Sequence, residues 1–414
     1  MINKQMQCLE NKVLMERRLV RLKKLRDDIN KGTLPQLIIF GDKHGDAEDL
    51  ERIADQARNF VRNHHDLGKK LTIIGHGDGF DRGNQNVEVF ELLRELKAIE
   101  KENPGQVEVR LLWGNHDVML MQYNLLQDQE ALGDWLSEGG LQTYKDFRGA
   151  EIEGKDVALF MLENFELFYI DEWGMFHVHA GIPMDKDGVP SISNARMVER
   201  QNQLNSFKDK LKTDRKEFLE NQELLKEVKE FFEQKDLLWL LWAQPEHWLD
   251  HVADPDNKEI IIDEQNEEKS FTILKKWLRK YRPNLSDDEL SSQVNAQWKD
   301  ILLTREDVVK RCGVDFQVIT KEKKINRAVL DNFLMRLSVN GVFFGHIHEL
   351  VNVENKIVGI DVDDQDPGHF MLDESGLSFN SLSRRRNEQI VSMDCFLNSI
   401  TEEINVLKEQ LRLP

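Results

Sequence analysis

A chain of 414 residues with 40% hydrophobic content is long enough for one large core or two modest ones. Its net charge of -19 excludes a general binder of nucleic-acid backbones, because an acidic surface repels polyphosphate. No apolar run reaches the roughly 18–20 residues of a membrane span, and the three cysteines (Cys8, Cys312, Cys395) fit no disulfide or metal spacing, which points to a reduced, cytoplasmic protein.

Residues 5–30 read as a charged helix with a short apolar stripe of Leu22, Leu25 and Ile29, closed by Lys31-Gly32. The opening residues, among them Asn3, Lys4, Gln5, Gln7 and Glu10, have no signal-peptide apolar core. From Leu37 the pattern changes. Leu37-Ile38-Ile39-Phe40, Leu71-Thr72-Ile73-Ile74 and Val107 to Trp113 are short β-like runs, separated by helical segments near 46–64 and 86–102. This spacing predicts βαβ units. Phe176-His177-Val178-His179, Val342-Phe343-Phe344-Gly345-His346 and Ile357-Val358-Gly359-Ile360-Asp361-Val362 supply further strands. Between them, Met197, Leu204, Leu211, Phe218, Leu225 and Phe232 recur every seven residues. That spacing predicts one amphipathic helix of roughly 55–60 Å, projecting as an arm or lying flat on the core. Residues 268–310 are largely helical, broken near Pro283. At the end Ile390, Met393, Leu397, Ile400, Ile404, Leu407 and Leu411 form a full heptad seam. It can pair with the N-terminal helix or, in a dimer, with a second chain.

Five short motifs follow the apolar runs, where open α/β sheets gather their sites. They are Gly41-Asp42-Lys43-His44-Gly45, Gly77-Asp78-Gly79-Phe80-Asp81-Arg82-Gly83, Gly114-Asn115-His116-Asp117, His179-Ala180-Gly181 and Gly345-His346-Ile347-His348. Asp42 and His44, two apart, can point at one metal. Asp78 is the natural bridge to a second, since one carboxylate can hold two cations roughly 3.5–4 Å apart. Asn115, His179 and His346 offer an amide oxygen and imidazoles to that second metal, and His348 can turn back to the first. Mixed nitrogen and oxygen donors suit manganese, iron or zinc. Each motif alone is ordinary loop chemistry; their joint order is not. His64 and His65 read as solvated and His177 as a core histidine or a support to His179. His76, His247, His251 and His369 carry no motif, and the eight tryptophans read as packing.

The order of motifs resembles the calcineurin-like metallophosphoesterase superfamily, and Asp81-Arg82-Gly83 resembles its phosphoprotein phosphatase (PPP) branch. Trp135-Leu136-Ser137-Glu138-Gly139-Gly140 with Thr143 and Tyr144 is similar to bacterial relatives, as are Asp236-Leu237-Leu238-Trp239 and Gly359-Ile360-Asp361. The resemblance implies a two-layered β-sandwich flanked by helices, an α/β fold. It implies that Asp42, His44 and Asp78 bind one metal and Asp78, Asn115, His179 and His346 the other. It also implies that a hydroxide held between the metals attacks phosphorus in line. His116 then protonates the leaving oxygen, Asp81 orients His116, and Arg82 grips the phosphate in a fork. Arg311 is the candidate for a second phosphate arginine. Three features depart from the family: Lys43 stands where an apolar residue is usual, His348 exceeds what the PPP branch keeps, and the stretch from Trp239 to Arg311 is long.

The expected organisation is an N-terminal helix (1–35), a phosphatase domain in two parts (36–195 and 311–383), a helical insertion or arm (196–310) and a C-terminal heptad helix (384–414). The expected function is a two-metal, manganese-favouring phosphatase of phosphorylated proteins, on phosphotyrosine or phosphoserine/threonine. The alternatives are a diadenosine polyphosphate or nucleotide hydrolase, and an adaptor that binds a protein partner through a coiled-coil arm. The helical additions are similar to those of PPP-fold effector phosphatases of intracellular pathogens, such as the Legionella Wip proteins, which implies export into a host cytosol.

Overall fold

The computed structural model describes residues 2–64, 68–185, 187–243, 327–346, 350–353, 357–360, 368–373, 375–381 and 386–412. In chain order the first elements are α1 (Ile2–Lys31), β1 (Gln36–Phe40), α2 (Glu48–His64), β2 (Leu71–Gly75), α3 (Asn86–Glu102) and β3 (Val107–Leu112). Then come α4 (Asn115–Leu126), α5 (Gln129–Trp135), a π-helical turn (Leu136–Gly140), α6 (Leu141–Gly149), α7 (Gly154–Asn164), β4 (Phe165–Glu166), β5 (Tyr169–Ile170) and β6 (Met175–Val178). A helical stretch follows: α8 (Asn194–Thr213), α9 (Arg215–Glu220), α10 (Gln222–Phe232) and α11 (Lys235–Trp242). The chain ends with α12 (Arg327–Leu337), β7 (Gly341–Phe344), β8 (Leu350–Val353), β9 (Ile357–Ile360), β10 (Gly368–Asp373), β11 (Gly376–Ser381), β12 (Arg386–Ser392) and α13 (Met393–Arg412).

The strands form two sheets, ordered β12-β11-β10-β1-β2-β3-β4 and β5-β6-β7-β9-β8. Strands β1 to β4 run parallel, as do β6, β7 and β9; β10 to β12 and the outer strands of the second sheet are antiparallel. Alternation along β1 turns Leu37 and Ile39 into a core shared with Ile74 of β2, Met175 of β6, Phe343 of β7 and Phe370 of β10. The two sheets therefore face each other across one apolar layer, as the sandwich expectation requires. Outside it, α2 buries Leu50, Ile53, Ala54, Ala57 and Phe60 along a single stripe. No helix among the described residues is long and apolar enough to cross a membrane.

The C-terminal seam finds its partner within the chain. Ile400, Ile404 and Leu407 of α13 share the core with Leu22 and Leu25 of α1. Arg18, 1% exposed, ion-pairs with Glu403 of α13 and donates to the carbonyl of Asp331 in α12 at 2.9 Å. The expected boundary needs one correction: Ile390 lies in β12, not in the helix, which starts at Met393.

The single long helix expected over 196–235 does not form. It is divided at Asp214 and Asn221, two of the three intermediate heptad positions that lack an apolar residue; the third, Arg200, lies inside α8. The Asp214 carboxylate accepts from the Glu217 amide at 2.9 Å and the Asn221 side chain from the Leu224 amide at 3.0 Å. Each caps the next helix, the competing hydrogen bond that short polar side chains offer. The pieces do not project. Met197, Leu204, Leu211, Phe218 and Phe232 are buried, Phe232 packs on Trp113 at 4.9 Å, and Lys229 reaches Asp128 at 2.7 Å. Residues 244–310 of the expected insertion lie outside the described residues.

Candidate metal centre

Five strands deliver the motif residues from their carboxyl ends: β1 leads to Asp42 and His44, β2 to Asp78, β3 to Asn115 and His116, β6 to His179 and β7 to His346. The backbone is bent hard at these points. His44, Asp78, Asp81, Arg82 and His346 all have positive φ (43°, 50°, 78°, 62° and 71°). Non-glycine residues adopt this region at a cost, and such residues cluster at functional sites. Backbone bonds hold the loops together. The amides of Lys43 and His44 both donate to the Asp78 carbonyl at 3.0 Å, and Gly83 donates to the His44 carbonyl at 2.8 Å. Gly114 is required by space, since a Cβ there would stand 2.0 Å from Asp78 Oδ1.

Donor atoms converge in two overlapping groups. Asp42, Asp78, His179 and His346 place ligand atoms within 4.8 Å of one another, as do His44, Asp78 and His116, and Asp78 belongs to both. The Asn115 amide oxygen joins the first group, 2.9 Å from His179 Nε2, which lies 3.4 Å from Asp78 Oδ2. Asp42 leans toward His179 (3.7 Å) as well as toward His44 (3.8 Å). The imidazoles are pre-set. His179 Nδ1 donates to the carbonyl of His76 at 2.7 Å and His44 Nδ1 to the carbonyl of Phe80 at 3.0 Å. A carbonyl only accepts, so the hydrogen sits on Nδ1 and each Nε2 turns its lone pair toward the carboxylates. Carboxylate, imidazole and amide oxygen at this spacing suit divalent metals.

His116 is held differently. Its Nδ1 donates to Asp81 at 2.8 Å, and its Nε2 accepts from Arg82 Nη2 at 3.1 Å. A carboxylate on Nδ1 in place of a backbone carbonyl, and the Arg82 guanidinium on Nε2, set His116 apart from His44 and His179. Its backbone amide donates to Asp78 Oδ1 at 2.9 Å. Burial alone would lower its pKa, but the charges of Asp78 and Asp81 and the Asp81 hydrogen bond outweigh burial and raise it. Asp81 is itself fixed, accepting from Trp135 Nε1 at 2.9 Å and from the Thr143 hydroxyl at 2.6 Å.

Residues 35–350 match the family of calcineurin-like phosphoesterases. The chain belongs to this family. Over 84 residues it is 32% identical to Shewanella-like protein phosphatase 1 of Plasmodium berghei (strain Anka), a match covering 20% of this chain and 22% of that protein. The chain thus matches less than a quarter of that relative's length. Among solved structures it is similar to a cold-active protein-tyrosine phosphatase of a psychrophilic Shewanella species, at 15% identity and TM-score 0.43 over 86% of this chain and 81% of that one. A protein serine/threonine phosphatase from Saccharomyces cerevisiae is similar at 12% identity and TM-score 0.39, over 91% and 90%.

Calcineurin-like phosphoesterases imply divalent metals, and the donor set fits them. Several supporting residues of this member carry no signal of their own in the sequence. Asp117 is fully buried, and its Oδ2 accepts from the amides of Asp78 (2.9 Å) and Gly114 (3.0 Å), tying β2 to β3. Burial, then the charge of Asp78, push its carboxyl well above the usual range. Lys43 extends away from the donors to a 2.7 Å ion pair with Asp49, whose other oxygen accepts from His369 at 2.7 Å. That pairing explains a lysine at a usually apolar place. His177 is buried, stacked on Phe343, and bonded to Asp171 at 2.9 Å and His76 at 3.0 Å. It is a core histidine whose partner His76 presents its carbonyl to His179. His76 is held neutral, mainly by burial and then by His177 and His179. His64, expected to be solvated, is half-buried against Phe60. Trp135 and Thr143 were marked only by the resemblance of their segment. Arg311 and His348 lie outside the described residues.

Proposed function

We propose that this chain is a two-metal phosphomonoesterase acting on phosphorylated proteins. Asp42, His44, Asp78, Asn115, His179 and His346 would hold the metals, with manganese the first choice. Metals bound there would supply Lewis acidity toward phosphoryl oxygens and a water acidified for attack. The observation that carries the reading is the line Arg82–His116–Asp81 beside the shared carboxylate Asp78.

Arg82 donates to His116 Nε2 at 3.1 Å. A phosphate dianion is the stronger acceptor, and the planar guanidinium matches two of its oxygens. Turning to the phosphate, Arg82 leaves Nε2 facing the ester oxygen. Freed of Arg82, Nε2 takes up a proton from water, and as the phosphorus–oxygen bond opens His116 gives that proton to the departing oxygen. Asp81 keeps the Nδ1 hydrogen bond and stabilises the charged ring beforehand. The Asp81 hydrogen bond and charge, which raise the pKa of His116, support its role as an acid. A forked arginine on two phosphoryl oxygens and one acid on the leaving oxygen are what a phosphomonoester requires. Phosphotyrosine and phosphoserine/threonine both meet that requirement.

The test is hydrolysis of an aryl phosphate and a phosphopeptide panel with manganese, beside diadenosine tetraphosphate. Turnover of the monoesters, falling about a thousandfold or more in Asp78→Asn, is expected. Inert monoesters, an unchanged rate in Asp78→Asn, or preference for the dinucleotide would overturn the reading.

A further inference from the structure

A groove of about 320 Å³ is lined by residues of α4, α5 and the π-helical turn on one side and of α10 and α11 on the other. The metal-ligand candidate Asn115 lies at its inner end. Glu138 on one lip immediately precedes Gly139, whose carbonyl accepts from the Arg82 amide at 3.3 Å. Trp242 on the opposite lip lies 6.3 Å from the His346 ring. Through Asn115, Glu138 and Trp242 the groove therefore lies beside the place where Arg82 and the donors would hold a phosphate.

Its chemistry is two-sided. Met119, Leu241 and Phe232 line it, and Leu238 and Trp242, one turn apart on α11, add a pair of apolar side chains that are 41% and 39% exposed. Four carboxylates line it as well, Asp128, Asp134, Glu138 and Glu233, with no lysine or arginine. Lys229 lies 2.7 Å from Asp128 and 3.6 Å from Glu233, which offsets that end. Asp134 and Glu138 take no ion pair among the described residues. Their negative field sits beside a centre that must attract a phosphate dianion. Such a field repels a bare phosphate or a polyphosphate and favours a ligand that brings its own cation. A long basic side chain matches both halves: its methylenes cover the apolar wall, and its charge reaches the carboxylates and the Trp242 face.

We propose that this groove is the subsite for an arginine or lysine flanking the phosphorylated residue of the substrate protein, with Asp134, Glu138 and Trp242 selecting it. The inference rests on the phosphatase reading above and narrows its substrate class to phosphosites beside basic residues.

The experiment uses the full chain with manganese and paired phosphopeptides, identical except for arginine or glutamate at each position within four residues of the phosphosite. Each kcat/KM is expressed relative to aryl phosphate in the same protein. An arginine preference of about tenfold is expected at one or two positions, the size of two exposed charge pairs plus a cation–π contact. Asp134→Lys with Glu138→Lys should abolish or invert it, and Trp242→Ala should weaken it. Turnover of aryl phosphate with no arginine preference, or a preference that survives the double reversal, would overturn this inference alone. Failure on aryl phosphate as well would overturn the phosphatase reading and the inference with it.

Discussion

The strand ends and the helical wall beside them are built on opposite plans. At the strand ends, five non-glycine residues are held at positive φ, and the metal-donor loops are tied to one another by backbone bonds. In the wall, α8, α9 and α10 each start on a side-chain cap, from Ser193, Asp214 and Asn221, and the groove beside α10 and α11 is lined by apolar and acidic side chains. The first plan fixes positions to a fraction of an ångström, which metal donors and a proton donor need. The second tolerates exchange of single side chains, which suits recognition of one substrate among many. On the proposed function, the chemistry rests on strained backbone and the selectivity on replaceable surface.

That contrast can be broken by substitution, and the largest effect belongs to the centre. His116→Asn should lower kcat by about 10²–10⁴ with little change in metal affinity, since His116 is set apart from the ligand histidines. Steady-state kinetics with calorimetric titration of manganese would check it. Equal loss of metal binding would make His116 a ligand. Next is Lys43→Met, which leaves Asp49 buried beside His369 without its cation. A fall in stability of about 3–5 kcal/mol is expected from denaturant unfolding.

The same network sets a pH dependence. Burial pushes the Asp49 carboxyl up, but Lys43 and His369 outweigh it and hold it below the usual carboxylate range. A carboxyl held low in the folded chain stabilises it above the unfolded value, about 3.9, and loses that contribution as pH falls further. The stability gap between wild type and Asp49→Asn should hold steady above about pH 5 and narrow below about pH 4. A gap that widens with acid would contradict the pairing. The smallest effect lies in the wall: Asp214→Ala removes one cap and should cost about 1 kcal/mol. Hydrogen exchange confined to α8 and α9 would locate it, while unchanged protection there would show that the cap is dispensable.

The strand-end residues were legible because a short apolar run followed by a ligand type is a local pattern. Asp42, His44, Asp78, Asn115, His179 and His346 could all be named from it, and the structure brings them together. Their partners were not legible. Asp117, Lys43 with Asp49 and His369, and His76 with His177 and Asp171 act through contacts between residues up to 320 positions apart, for which one sequence has no period. The helical segment misled for the reverse reason. Its seven-residue recurrence is real, and the buried Met197, Leu204, Leu211 and Phe218 obey it. But Asp214 and Asn221 cap as well as they propagate, so the period continues through two breaks. The signal was a short capping side chain at the seam, since Arg200 also interrupts the apolar row and α8 runs through it.

The central claim is that Asp78 serves two metal positions beside the acid pair. Electron paramagnetic resonance of the manganese-loaded protein tests it directly. An exchange-coupled two-manganese signal in the wild type, replaced in Asp78→Asn by that of isolated ions or none, is the predicted result. Isolated single-ion spectra in the wild type at full loading, or a coupled pair that survives Asp78→Asn, would contradict it.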